Sequence, residues 1–300
     1  MPNNPIQRQF KSKLFPMVFS DKTALLSLYN AINGSSYTDP DDLTVTTLEN
    51  ATYMGIKNDM SFLLEDILCL YEHQSTWNPN MPLRGVFYFS NLYQGIIARY
   101  QMDIYSKTQL SLPTPQYIIL YNGLESEPDR MVLKLSDSFS KKGSANAYVD
   151  PAPALECRAT LLNIKLGHNP ELMQKCRPLY EYAYLIESIR QHLDTVRQLP
   201  SAVDLAVEHC IQEGIMADFL RTHRAEVNQM ILYEYNEELH IKSEKAISFK
   251  EGKQKGKQEG ERRINTLNQY LIRDKRFSDL ERAAADPEFQ EKLCLEYGIG

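Results

Sequence analysis

Residues 59–75, Asp-Met-Ser-Phe-Leu-Leu-Glu-Asp-Ile-Leu-Cys-Leu-Tyr-Glu-His-Gln-Ser, constrain the fold more than any other stretch of this chain. Met60–Leu64 and Ile67–Tyr71 are two short, mostly apolar runs of strand length, separated by the turn-forming pair Glu65-Asp66. The pattern predicts a β-hairpin with Asp59 at its entrance and Glu72 and Gln74 at its exit. Side chains alternate along a strand, so Leu68, Leu70, Glu72 and Gln74 share one face, and His73 projects to the other. The shared face is apolar until its last two positions, an acid and an amide. A carboxylate before the first strand and another at the end of the second converge at one end of a sheet. With a hydrogen-bonding neighbour they form a candidate site for a hard divalent cation. Without further context, Glu72 and Gln74 also read as an exposed strand end, and Asp59 as a turn residue.

The flanking sequence predicts a mixed α/β domain. A first helix is expected over 5–19 and a second after Asp21, a good N-cap, with Gly34 as its stop. Residues 42–56 alternate weakly and suggest one or two strands before the hairpin. From Leu83 to about Lys107 the pattern is helical, with Val86, Phe87, Ser90, Tyr93, Ile97 and Tyr100 at helical spacing. Gln116–Tyr121 is a strand ended by Asn122-Gly123, a pair suited to a tight turn that would return the chain through Met131–Leu135. Leu155–Leu166 suggests a further strand. Such mixed order favours a central sheet flanked by helices. After Pro170 three helical stretches follow, so the chain divides into a core at 1–169, a helical region at 170–245 and a tail at 246–300.

The tail carries a low-complexity segment over 250–263, with glycines at 252, 256 and 260 among lysines and glutamates. Three interior glycines cost a helix roughly 1 kcal/mol each, so a fraying linker is expected. Its basic residues, among them Lys253, Lys255, Lys257, Arg262 and Arg263, are candidates for phosphate contact. Residues 264–271 are helix-prone and offer a homo-oligomer contact.

Three hundred residues, 43% hydrophobic and 24% charged, suffice for a sizeable core. No apolar run approaches the ~20 residues of a membrane span, and Met1-Pro2-Asn3-Asn4-Pro5 lacks the apolar region of a secretory signal. A cytoplasmic protein with no membrane association is expected. The cysteines, at 69, 157, 176, 210 and 294, are widely spaced and read as reduced, mostly buried residues. The net charge of −6 lacks the overall basic footprint of a nucleic-acid binder, although a local basic groove is compatible with it. GxSxG, HExxH, GxxxxGK[ST] and dinucleotide fingerprints are absent, and the six histidines do not cluster.

Asp59, thirteen positions before Glu72-x-Gln74, is accompanied by a set of further stretches in fixed order. These are Leu14-Phe15-Pro16-Met17-Val18-Phe19, Tyr71-Glu72-His73-Gln74-Ser75, Pro79-Asn80-Met81-Pro82-Leu83-Arg84 and Tyr121-Asn122-Gly123. Leu133-Lys134-Leu135-Ser136-Asp137, Gly167-His168-Asn169 and the Glu/Lys/Gly repeat at 251–260 complete it. The set resembles the PD-(D/E)XK nuclease superfamily over roughly residues 8–260. More narrowly, it looks like the recombination-promoting nucleases, a transposase-like branch in which the closing Lys of the motif is commonly Gln.

That resemblance implies a restriction-endonuclease-like fold, with a mixed central sheet flanked by helices. It also implies a hydrolase cutting double-stranded DNA with Mg²⁺, for which Mn²⁺ substitutes. Asp59, Glu72 and Gln74 would be the catalytic residues, and Asp59, Glu72 and the backbone carbonyl of His73 the metal ligands. Gln74 can hold a water through its amide but brings no positive charge. Asp137 and Gln94 are further candidates. One departure is Ser12, where relatives often carry an acid; no carboxylate is available there. Two rival readings stand beside the nuclease. One is a catalytically weak DNA-binding or regulatory module in which Gln74 marks decay of the site, and the other is a helical interaction protein working through its C-terminal half.

Overall fold

Asp21 opens the first long helix because its carboxylate accepts the Ala24 amide at 3.0 Å, and Gly34, at φ 67°, closes it. In this computed structural model, which describes residues 14–46, 58–139 and 153–299, that helix is α2 (Lys22–Asn33) and follows the short α1 (Leu14–Val18). The earlier part of the predicted first helix, and Ser12 with it, lie outside the described residues.

The strands are β1 (Thr44–Val45), β2 (Met60–Leu64), β3 (Ile67–Gln74), β4 (Thr114–Tyr121), β5 (Arg130–Lys134) and β6 (Arg158–Asn163). They form one mixed sheet in the order β1-β2-β3-β4-β6-β5. The hairpin forms as its sequence dictates: Leu64 pairs with Ile67 and Met60 with Tyr71, and Glu65 takes the left-handed φ of 50° that a two-residue turn demands. β3 and β4 run parallel, a pairing that needs a crossover, and α3 (Met81–Arg99) supplies it.

Two expectations are corrected here. Asn122-Gly123 does not turn β4 back onto β5. β6 inserts between them, parallel to β4 and antiparallel to β5. Asn122 is instead buried, with its carbonyl and side-chain oxygens held by Arg190 at 2.6 and 3.1 Å. The inner face of α3 also differs from the expected stripe: Met81, Gly85, Tyr88, Leu92 and Ile96 are buried, whereas Phe87 and Tyr100 are exposed. Gly85 decides that choice. A Cβ there would lie 2.6 Å from the Tyr117 ring and 2.9 Å from the Cys157 sulfur, so only glycine lets the helix lie this close to β4.

α3 covers one face of the sheet, packing Tyr88, Leu92 and Ile96 on Leu68, Leu70, Ile119 and Leu161. The other face, with Phe62, Tyr71, Leu120 and Leu162, is covered by α1, α2 and the helices after residue 170. These are α4 (Pro170–Lys175), α5 (Arg177–Val196), α6 (Leu199–Gln212) and the start of α7 (Ala217–Arg273). The apolar stripe of α5 (Leu179, Tyr182, Leu185, Ile189) belongs to the same core as the sheet. The first compact unit accordingly runs to Asn236 and does not divide at 169/170. An amphipathic helix must bury its stripe, and the sheet face is where these do so.

The second compact unit is Glu237–Gly300, with α8 (Phe277–Ala285) and α9 (Pro287–Glu296). Leu267, Leu271, Ala283, Leu293 and Cys294 form its core. Residues 250–263 are helical within α7, not a fraying linker. Lys253, Lys255, Lys257 and Arg262 are exposed along it, but Arg263 is committed to folding: it reaches the Ile299 carbonyl (3.3 Å) and the Glu291 carboxylate (2.9 Å). No described helix is long and apolar enough to cross a membrane. All five cysteines are unpaired, and four of them are buried.

Candidate active site

The β2–β3 ladder ends at Met60 and Tyr71, and two carboxylates take over where it stops. The Asp59 amide donates to Glu72 Oε1 at 2.9 Å, and the His73 amide donates to Asp59 Oδ2 at 2.8 Å. These reciprocal bonds satisfy backbone groups that have lost their ladder partners, and they lock the two side chains together. Glu72 is 1% exposed. Its outer oxygen, Oε2, accepts from Arg84 Nη2 at 3.2 Å and from the Tyr88 hydroxyl at 3.5 Å. Arg84 and Tyr88 stand one turn apart on α3, and Arg84 Nε donates to the Tyr88 oxygen at 3.1 Å. A charged partner of Glu72, Arg84, therefore comes from the crossover helix.

Burial pushes both carboxyl groups up, Asp59 to about 7 and Glu72 well above its usual range, and the Asp59 charge adds to the rise at Glu72. Arg84 pulls in the opposite direction on both. Two carboxylates this close titrate as a unit, and the pair holds a proton into the neutral range. A folded-state pKa above the unfolded one means that stability is lost as pH rises from about 4 toward 7. Asp59→Asn keeps an acceptor for the His73 amide and removes the charge. The metal-free variant is expected to melt several degrees above wild type at pH 8, equivalent to about 1–2 kcal/mol, and to match it at pH 4. Thermal denaturation in EDTA across that range checks this, and equal melting at both pH values would refute the strained pair.

The His73 ring lies on the opposite face, stacked on Phe15 at 4.9 Å between centroids, with Nε2 3.0 Å from the Tyr182 hydroxyl. Burial lowers its pKa to about 3, so it stays neutral. It is a packed core residue. Its backbone amide points at Asp59, and in a strand the carbonyl of the same residue points the same way. Gln74 ends β3 on the Glu72 face, partly exposed, its carbonyl accepting the Asn122 amide at 2.9 Å.

The other named candidates lie elsewhere. Asp137 is exposed in a 3₁₀ turn after β5, which runs antiparallel to β6. It therefore sits at the opposite end of the sheet from Glu72 and on the far edge. Gln94 is exposed on α3, bonded to Ser90 at 3.3 Å. It lies six residues beyond Tyr88, about 9 Å along the axis and turned to another side. Neither joins the carboxylates, whereas Arg84 and Tyr88, not singled out by sequence reasoning, do. The sequence signals for them are the Pro79–Arg84 stretch, which ends on Arg84, and the spacing Met81–Gly85–Tyr88–Leu92–Ile96, which marks the inner face of α3.

Among the described residues no group of three His, Cys, Asp or Glu side chains gathers as a metal site. The donor set is two carboxylates, one of them with Oδ1 outside the hydrogen bonds just described, beside a strand-end carbonyl. Mg²⁺ accepts such a set, since it takes one or two carboxylates and retains several waters. Comparison with known proteins adds no constraint: no protein-family model, curated protein or solved structure matches the chain.

Proposed function

We propose that this chain is a metal-dependent DNA endonuclease of the PD-(D/E)XK type, related to the recombination-promoting branch and acting on double-stranded DNA in recombination, mobile-element or defence processes. The observation that carries the reading is the locked pair of buried carboxylates, Asp59 and Glu72, at the end of the central hairpin. Buried like charges are costly unless something compensates them, and a divalent cation is the compensation that their oxygen chemistry suits.

Asp59, Glu72 and the His73 carbonyl would hold Mg²⁺. Bound there, the ion supplies a polarised water and neutralises charge developing on a phosphodiester. The chain's own residues do the rest. Gln74 positions a water through its amide, donor on one side and acceptor on the other. Arg84, 38% exposed along its side chain while bonded to Glu72, supplies the positive charge that Gln74 lacks. Tyr88 fixes the orientation of that guanidinium.

Supercoiled plasmid incubated with the full-length protein is expected to be nicked with Mg²⁺ or Mn²⁺ and left intact with EDTA. Intact plasmid under every metal condition would remove the reading. The position of Arg84 favours one alternative, a DNA-binding or regulatory module, because its guanidinium already neutralises Glu72. In that case Ca²⁺ and Mg²⁺ leave DNA uncut while binding persists. Gln74→Lys adds a second cation on the Glu72 face, and cleavage is expected to hold or to rise severalfold. A tenfold fall, measured as initial nicking rate at fixed Mg²⁺, would show that Gln74 acts through its amide alone.

A further inference from the structure

We propose that a cavity beside His168 is a nucleotide subsite that takes one base against its apolar wall and the adjoining phosphate at His168 and Arg177. The inference rests on the DNA reading above. The cavity is an open cleft of about 580 Å³, within the range of small-ligand sites. It opens among the turn after β6, the start of α5 and the residues preceding α7. Met173, Tyr180 and Ile215 supply apolar and aromatic wall, while His168 and Arg177 supply nitrogen donors. A flat apolar ring carrying an anionic group matches that division.

The turn holds His168 firmly. Gly167 at φ 92° and Asn169 at φ 43° flank it in left-handed conformations. The Asn169 amide donates to the carbonyls of Asp129 (2.6 Å) and Asn163 (2.9 Å). His168 Nδ1 lies 2.7 Å from Asp129 Oδ1. A carboxylate accepts, so Nδ1 carries the proton and Nε2 is left for a ligand; with a phosphate there, both ring nitrogens donate. Glu181 accepts from Arg177 Nε at 2.8 Å, which leaves the terminal amino groups of the fork for an anion. Tyr180, exposed at the rim, offers an aromatic ring for a base to stack on.

Gln74, Tyr121 and Asn163 lie in register at the ends of three parallel strands, and the His168 turn is tied to Asn163, so the subsite and Gln74 lie at the same end of the sheet.

The test titrates metal-free, full-length protein with dAMP and, separately, with deoxyadenosine, following amide and methyl chemical shifts by NMR. Saturable dAMP binding is expected, at least about fivefold tighter than deoxyadenosine. His168→Gln and Arg177→Gln should erase that preference, and Tyr180→Ala should weaken both ligands; all three sites are partly exposed, so melting temperatures should stay near wild type. Absence of saturable dAMP binding, or unchanged dAMP affinity in both cation variants, overturns the subsite. Plasmid cleavage that requires Asp59 while dAMP ignores His168 removes the subsite and leaves the nuclease. Dependence of dAMP on His168 with no metal-dependent cleavage leaves a nucleotide site and removes the nuclease.

Discussion

Asp59→Ala and Glu72→Ala are each expected to lower metal-dependent plasmid cleavage by on the order of a hundredfold or more, at least about 2.7 kcal/mol of transition-state stabilisation. Two carboxylates are the minimum that this hairpin end offers a divalent cation, and among the described residues no third acid gathers with them. The fold should survive both changes. Asp59→Ala orphans the His73 amide, a loss near 1 kcal/mol, but it also removes a desolvated charge. Glu72→Ala releases Arg84, which already reaches water and can hydrate. Circular dichroism and melting temperature establish folding, and nicking rates in Mg²⁺ establish activity. Folded variants that cut plasmid at the wild-type rate would sink the assignment of both residues. The double variant should be no worse than either single one, because the two carboxylates act as a unit.

The hairpin was legible because everything that specifies it is local. Two apolar runs, a two-residue turn and alternation place Leu68, Leu70 and Glu72 on one face, and the structure puts them there. α2 was legible for the same reason, since Asp21 and Gly34 cap it within a few residues of its ends. Partners distant in the chain were not. Asn122-Gly123 has turn chemistry, but that chemistry does not say whether β5 or β6 lies beside β4. In the structure Asn122 is held by Arg190, 68 residues away. Asp137, a candidate from the resemblance alone, follows β5 at the end of the sheet away from Glu72.

The site was half legible on the same principle. Asp59 directly precedes β2 and Glu72 lies on β3 of the same hairpin, whereas Arg84 and Tyr88 arrive through the packing of α3 across β3 and β4. Helical spacing allowed two inner faces for α3, and a close approach at Gly85 selected the one that aims Arg84 at Glu72. The tail illustrates the converse. Gly252, Gly256 and Gly260 argue locally against a helix, each by roughly 1 kcal/mol, and the surrounding Lys, Gln and Glu, all good helix formers, prevail.

Arg84→Ala is expected to destabilise the protein by about 2 kcal/mol at neutral pH, below the 3–5 typical of a broken buried pair because 38% of the side chain remains in water. The cost falls on Glu72, left 1% exposed with no cation beside it. Arg84 lowers the Glu72 pKa, so removing it raises a value that burial has already lifted. The variant's folded state then keeps its proton to higher pH while the unfolded chain loses it near its ordinary value. The stability gap between variant and wild type should accordingly widen as pH rises and nearly close at pH 4. Adding Glu72→Gln in the Arg84→Ala background removes the stranded charge and should recover at least half of the loss, whereas either single change leaves one partner unmatched. Denaturant unfolding of the four proteins at pH 4 and pH 8 measures this coupling. A gap independent of pH, or a double variant no more stable than Arg84→Ala, would mean that Arg84 contributes through packing on Tyr88 and Met81 and not as the counter-charge of the site.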